Sequence, residues 1–254
     1  VTSTDPRAFY DAVWERYGAL DALSPAAFHR RRLIRKLALE FMPRAASVID
    51  VGCGQGQLLV ELRRALPGAR LTGADLSAES RRKAAQRCPE ARILSLDLDG
   101  DGFDFDHEDL ISAFDFAVCS EVLEHLEHDR LGAARLARLL TPGGVAVVTV
   151  PGGKKSRFDE LIGHRRHYRK QELRHVLESA GLRVERLVAW GFPFHNLYRS
   201  AVRVASRFAF KGGKAQTSAL ADRAYALTGR VLTPLYYANR PYWGEQLIAV
   251  VRRP

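Results

Sequence analysis

Ser47 to Leu59 reads SVIDVGCGQGQLL, and the fold of the chain turns on this stretch. An apolar run, Val48-Ile49-Asp50-Val51, ends in glycines at alternate positions, Gly52, Gly54 and Gly56, and a helical pattern follows. Such a run reads as a buried parallel strand, a tight turn, and a helix whose N-terminus faces a ligand. Glycine admits positive φ and lets a ligand touch the main chain. The spacing is D-x-G-x-G-x-G, not the G-x-G-x-x-G of dinucleotide-binding proteins. A carboxylate at the turn suits a ligand carrying an ammonium group rather than a pyrophosphate.

Downstream, strands and helices alternate. Gln57 to Leu66 reads as a helix closed by Pro67-Gly68, and Arg70 to Ala74 as a second strand ending in Asp75. An acidic residue at that strand end, about twenty residues past the glycines, can accept hydrogen bonds from ribose hydroxyls. Ser77 caps a helix to Arg87, with Glu79 and Ser80 in its first turn. Ala91 to Leu96 is a third strand ending at Asp97, and Phe114 to Cys119 a fourth. The helix from Arg130 to Leu140 is expected to turn Leu131, Leu136, Leu139 and Leu140 to the sheet. Thr141-Pro142-Gly143-Gly144 makes a turn before a fifth strand, Val145 to Val150. A helix from Gln171 to Ala180 stops at Gly181. Leu182 to Ala189 and Glu245 to Val251 are the last two strands.

Upstream, Asp5 to Tyr17 reads as an amphipathic helix with Phe9, Val13 and Trp14 on one face. Ser24-Pro25 is an N-cap and first-turn proline for a second helix to Met42. That helix carries Arg30, Arg31, Arg32, Arg35 and Lys36, read as a solvated face. The chain divides into an N-terminal helical cap (1–44), a core (45–190), a helical insert (191–242) split near Lys211-Gly212-Gly213-Lys214, and a last core strand (243–254). An insert this long between two adjacent strands reads as a wall or lid of a binding pocket, with an oligomer interface as the competing reading.

The length of 254 residues and a hydrophobic content of 46% give a globular chain with a proper core. No apolar run has the length of a membrane span and no signal peptide is visible, so a cytoplasmic protein is expected. Three cysteines, Cys53, Cys88 and Cys119, without metal spacing, fit a reducing compartment. The net charge of +10 admits anionic partners, but an arginine-rich composition accounts for it equally well.

Three acids, Asp50, Asp75 and Asp97, recur after the first three strands. With FDFAVCSEVLEHL and LLTPGGVAVVTVP they give Ala45 to Leu187 a close resemblance to the class I S-adenosylmethionine (SAM)-dependent methyltransferases. The resemblance implies an α/β, Rossmann-like, seven-stranded and mostly parallel sheet with helices on both faces. It also implies SAM as cofactor and S-adenosylhomocysteine as product. Asp50, Gly52, Cys53, Gly54, Gln55 and Gly56 are then expected at the methionine end, and Asp75 and Leu76 at the ribose. Asp97 and Leu98 are expected at the adenine, and Ser120 beneath the sulfonium.

Asp97 to Glu108, DLDGDGFDFDHE, also satisfies the calcium-loop pattern D-x-D-x-D-G-x₅-E. A strand precedes it where a helix should, and Asp104 stands where an aliphatic residue is usual. It reads as an acidic surface loop.

Glu121-Val122-Leu123-Glu124-His125 would place Glu121, Glu124 and His125 on one face if helical. The run is similar to one in ubiquinone-pathway O-methyltransferases and in small-RNA 3′-terminal 2′-O-methyltransferases. In the latter a fourth metal ligand is a histidine after strand five, and Gly163-His164-Arg165-Arg166-His167-Tyr168-Arg169 sits at that place. That resemblance implies Mg or Mn on Glu121, Glu124, His125 and His164, lowering the pKa of an acceptor hydroxyl. Without metal, His125, His164 or His167 is the general base. The expected activity is O-methylation of a small, partly apolar acceptor, with an anionic one admitted by the basic charge. The alternatives are methylation of RNA and a catalytically silent SAM-binding partner.

Overall fold

The computed structural model of the protein describes residues 5–100, 103, 107–209 and 234–254. Its strands are β1 (Ser47–Val51), β2 (Arg70–Ala74), β3 (Arg92–Leu94), β4 (Phe114–Ser120), β5 (Leu140–Pro151), β6 (Arg183–Trp190) and β7 (Gln246–Arg252). They form one sheet in the order β3-β2-β1-β4-β5-β7-β6. β3, β2, β1, β4 and β5 pair in parallel, and β7 runs antiparallel to both of its neighbours.

Every residue of β1 is buried, as a parallel strand covered on both faces requires. Successive side chains leave opposite faces of the strand. Ile49 and Val51 join a core with Ala117, Cys119, Ala146 and Val148. Helix α5 (Asp129–Leu139) and helix α7 (Lys170–Ser179) add Leu136, Leu139, Leu173 and Leu177 to it. Val48 points the other way, into a core with Phe116, Val118, Val145 and Val147. Helix α2 (Pro25–Phe41) adds Ile34 and Ala38 there, and helix α3 (Gln57–Ala65) adds Leu59 and Leu62. The seven-stranded, mostly parallel sheet with helices on both faces is the fold expected from the sequence.

Local chemistry sets the helix boundaries. Ser24 Oγ accepts a hydrogen bond from Ala27 N, with Pro25 at the first helical position of α2. Ser77 Oγ accepts from Ser80 N and starts helix α4 (Ala78–Arg87). Both satisfy amide groups that a helix start leaves orphaned.

Five details differ from the sequence reading. β5 starts at Leu140, so Thr141 to Gly144, expected as a turn, fall within the strand. Helix α1 runs Pro6–Leu23, longer than expected. β3, at the sheet edge, keeps only three residues of the six expected. Leu131 does not face the sheet: it is 41% exposed while Leu136 and Leu139 are fully buried. The inward face of α5 instead includes Gly132, where an added Cβ would collide with Leu126. Residues 121–128, between β4 and α5, are turns and bends, so the helical condition for a shared face of Glu121, Glu124 and His125 is not met.

Two short pieces complete the wall above the sheet. Helix α6 (Arg157–Leu161) begins at Ser156, which forms a capping box with Asp159. Helix α8 (Phe194–Ala209) opens the insert after β6. The second expected insert helix and five of the twelve residues of the acidic loop lie outside the described residues. Among the described residues no helix is long and apolar enough to cross a membrane.

The two leucines of α5 give a direct check. Leu136→Ala should cost about 2–5 kcal/mol in urea unfolding, and Leu131→Ala should stay within about 0.5 kcal/mol.

Candidate active site

A cavity of about 380 Å³ opens where β1, β2, β3, β4 and β5 end. This is the edge at which open parallel sheets bind ligands. At one end lie the glycine turn and the three acids. At the other lie the residues that follow β4 and β5, together with α6 and α8.

The register of the sheet brings the acids together. Asp50 pairs with Gly73 of β2, one strand away and two residues before Asp75. The Asp75 carboxylate accepts from Gly54 N at 2.8 Å and from Ser77 N at 2.9 Å. It thereby ties the glycine turn to the start of α4. Burial raises the Asp75 pKa, and these two hydrogen bonds oppose the rise. Asp50 has no ion pair or side-chain hydrogen bond among the described residues. Burial first, and the nearby Asp75 second, push it up to about 8. A buried carboxyl group of this kind gains most from a cationic ligand.

The glycine turn is as tight as its sequence implied, with φ of +72° at Gly52 and +51° at Gly54. The space beside Gly54 is filled by Trp14 of α1, 2.7 Å from where a Cβ would stand. Val122 closes in on Gly52 in the same way. Asp11 of α1 accepts a hydrogen bond from Ser77 Oγ at 2.5 Å. α1 therefore roofs the turn, and Tyr10, Val13 and Trp14 line the cavity from above.

Of the expected cofactor contacts, Asp50, Gly52, Cys53, Gly54, Asp75, Leu76, Asp97, Leu98 and Ser120 line the cavity. Gln55 and Gly56 do not. Gln55 is buried beside Gly18, and Gly56 packs on the backbone of Ala84. Asp97 accepts from Asp99 N, and Asp99 accepts from Glu127 N and His128 N. The first two acids of the calcium-loop pattern are thus engaged with backbone amides.

The far end is a polar network. Glu121 has φ +58°, unusual for a residue with a side chain. Its Oε1 accepts from Thr149 Oγ1 at 3.0 Å and from Gln246 Nε2 at 2.8 Å. Its Oε2 lies 3.7 Å from Arg30. Glu121 is thus fastened to β5 and β7. It is absent from the candidate metal-ligating group of Glu124, His125 and His164, whose ligand atoms lie within 4.8 Å of one another.

Glu124 is fully buried, and neither of its carboxylate oxygens has a hydrogen-bond partner among the described residues. Burial, then the charge of Glu121, raises its pKa well above the carboxylate range. Burial lowers His125 to about 4 and His164 to about 2, so both imidazoles are neutral at pH 7. A second candidate ligating group, Asp159 with His164 and His167, adjoins the first.

Asp159 and Arg199 were not singled out in the sequence. The Asp159 carboxylate accepts from Ser156 N and Ser156 Oγ, and from both terminal nitrogens of Arg199 at 3.0 and 3.2 Å. The capping-box spacing of Ser156 and Asp159 is legible in the sequence. The partner forty residues later, on α8, is not.

With this geometry in view, the comparisons with known proteins are specific. The family model of the methyltransferase domain matches residues 26–187. The chain belongs to that family, and it is a member of the class I SAM-dependent methyltransferases. An uncharacterized methyltransferase of Mycobacterium tuberculosis is 38% identical over 109 residues, covering 40% of this chain and 49% of that one. The chain thus spans about half the length of that relative. The ubiquinone biosynthesis O-methyltransferase of Chromobacterium violaceum is 29% identical over 198 residues, covering 65% and 79%. A solved phosphoethanolamine N-methyltransferase 2 of Haemonchus contortus, in complex with phosphomonomethylethanolamine and S-adenosylhomocysteine, shares the fold. Its TM-score is 0.68 at 16% identity, covering 100% of this chain and 62% of that one.

The Asp159–Arg199 pair yields a stability prediction. Arg199→Met leaves a buried carboxylate uncompensated and should cost about 3–5 kcal/mol in chemical unfolding. Adding Asp159→Asn to the same chain should restore part of that loss.

Proposed function

We propose that the protein transfers a methyl group from SAM to an oxygen of a small, partly apolar acceptor. The observation that carries this reading is Asp50, a buried acid without a cationic partner among the described residues, beside a glycine turn and a second buried acid. The ammonium of a methionyl group fits Asp50, and ribose hydroxyls fit Asp75, whose oxygens keep acceptor capacity beyond their two amide bonds. Leu98 and Leu96 offer an apolar wall beside Asp97 for a base.

When bound, SAM supplies a methyl carbon on sulfur, which an acceptor oxygen attacks in line as the carbon–sulfur electron pair returns to sulfur. The chain's part is to hold both partners and receive the acceptor's proton. His125 and His164, kept neutral by burial, are the candidate bases. Phe158, Ile162, Tyr198 and Val202 give the acceptor end its apolar wall, while Arg30 and Arg199 add positive charge. Similarity to the ubiquinone-pathway O-methyltransferase supports oxygen as the methylated atom.

A second reading rests on Glu124. A buried carboxylate without a hydrogen-bond partner among the described residues, beside two neutral imidazoles, is a donor set for a divalent cation such as Mg or Mn. There Glu124, His125 and His164 would hold the ion, which would lower the pKa of an acceptor hydroxyl. Under this reading RNA ribose is a further acceptor. Turnover unchanged both by chelator and by Glu124→Gln removes the metal. Binding to short RNA that does not weaken between two salt concentrations removes the nucleic-acid acceptor.

The principal test uses proton linkage. Below pH 8 the Asp50 carboxyl is largely protonated in the free protein, and a cationic ligand favours its ionised form. SAM or S-adenosylhomocysteine binding should therefore release up to about one proton at pH 7, and affinity should rise with pH up to about 8. Calorimetry in buffers of different ionisation enthalpy reads the release directly. Asp50→Asn should abolish it and weaken binding about tenfold or more. Wild-type protein that binds neither nucleoside sinks the proposal. Binding without turnover on any hydroxylated acceptor marks a silent partner instead.

A further inference from the structure

His164 and His167 form a directional hydrogen-bonded chain that begins at a backbone carbonyl. His167 Nδ1 lies 3.2 Å from Gly153 O, and His167 Nε2 lies 3.1 Å from His164 Nδ1. A carbonyl oxygen can only accept, so His167 must carry its proton on Nδ1. In the neutral state each ring carries one proton. His167 Nε2 is then a bare acceptor, and His164 must donate to it from Nδ1. That leaves the lone pair of His164 on Nε2, which has no protein partner among the described residues, and His164 lines the cavity.

We infer that His167 is a positioning residue, which fixes His164 as its Nδ1–H tautomer and so presents a bare Nε2 to the acceptor end of the cavity. In solution the Nδ1–H form competes with the alternative tautomer, and which one a site holds is set by the bond its other nitrogen makes. Here that bond ends at Gly153, whose φ of +71° holds its carbonyl in the strand-end loop. The next-door bridge Gly152 to Tyr168 anchors both ends of the arrangement, since Tyr168 N donates to Pro151 O at 3.0 Å.

The charged group nearest to both rings is Asp159, 3.9 Å from His164 Nδ1 and 3.8 Å from His167 Nε2. Left alone it would favour protonated imidazoles. Its oxygens are already engaged by Arg199 and by Ser156. The network thus separates two roles that the sequence left open among three histidines. His164 touches the acceptor, and His167 acts through His164.

This assignment deepens the methyl-transfer reading, in which the acceptor's proton passes to His164 Nε2, but its test does not require turnover. In ¹⁵N-histidine-labelled protein at neutral pH, two-bond proton–nitrogen correlation spectra should show His164 with a protonated Nδ1 and a bare Nε2. His167→Leu removes the acceptor and should shift His164 toward the Nε2–H tautomer. His167→Gln, which offers an amide oxygen in its place, should restore the wild-type pattern. S-adenosylhomocysteine affinity, measured on the same samples, should stay within about twofold across all three. Where turnover is found, kcat should fall about 10²-fold in His167→Leu and recover in His167→Gln. A wild-type His164 protonated on Nε2, or a tautomer indifferent to His167→Leu, overturns the assignment whether or not the protein methylates anything.

Discussion

The Asp75 carboxylate holds the cofactor end of the site together. By accepting from Gly54 N and Ser77 N it fixes the turn after β1 against the turn after β2. It does so inside a protein layer where an unpaired carboxylate would be costly. Because one side chain satisfies both turns, the spacing between the first two parallel strands becomes the spacing of the site. Asp50 then stands one strand away in fixed register, without a counter-charge among the described residues, and the energetic case for a cationic ligand follows from that. α1 adds to the same clasp through Asp11 on Ser77 and Trp14 on Gly54.

The acceptor end is built on a different principle. There the acids are neutralised by arginines brought from distant helices: Arg30 of α2 near Glu121, Arg199 of α8 on Asp159, and Arg203 of α8 on Glu245. Beside them lie the Glu124 carboxyl, which burial shifts toward its protonated form, and the His125 and His164 imidazoles, which burial shifts toward their neutral form. A site of this kind keeps its reactive groups uncharged until a substrate or ion arrives, since charging any one of them beforehand would cost solvation.

How much of this was legible in the sequence depended on how local the cause was. β1, β2 and α4 could be bounded closely because glycine, a cap serine and a strand-end acid act within a few residues. β3 was overextended because its length is set at the sheet edge by pairing on one side alone, which composition does not record. Leu131 was misplaced because a leucine at helical spacing looks inward until Gly132, packed under Leu126, is seen to occupy that side of α5. For Glu121 to His125 the sequence offered a shared face only on condition of a helix. Instead the tether from Glu121 to Thr149 and Gln246, the latter 125 residues downstream, holds the segment as a turn. The histidines after β5 were found by resemblance, but their division of labour needed the Gly153 carbonyl, and Arg199 left no signal near Asp159.

The reversed direction of β7 has a topological corollary. β6 runs parallel with the first five strands, so it finishes at the edge where the cavity opens. β7, running the other way, starts there. Trp190 and Gln246, the last residue of one and the first of the other, are paired neighbours at the rim. Any chain spliced between them leaves from the mouth and comes back to it, whatever its length. That excursion can therefore be lengthened or rewritten at the rim of the cavity without disturbing the register that sets Asp50 beside Asp75.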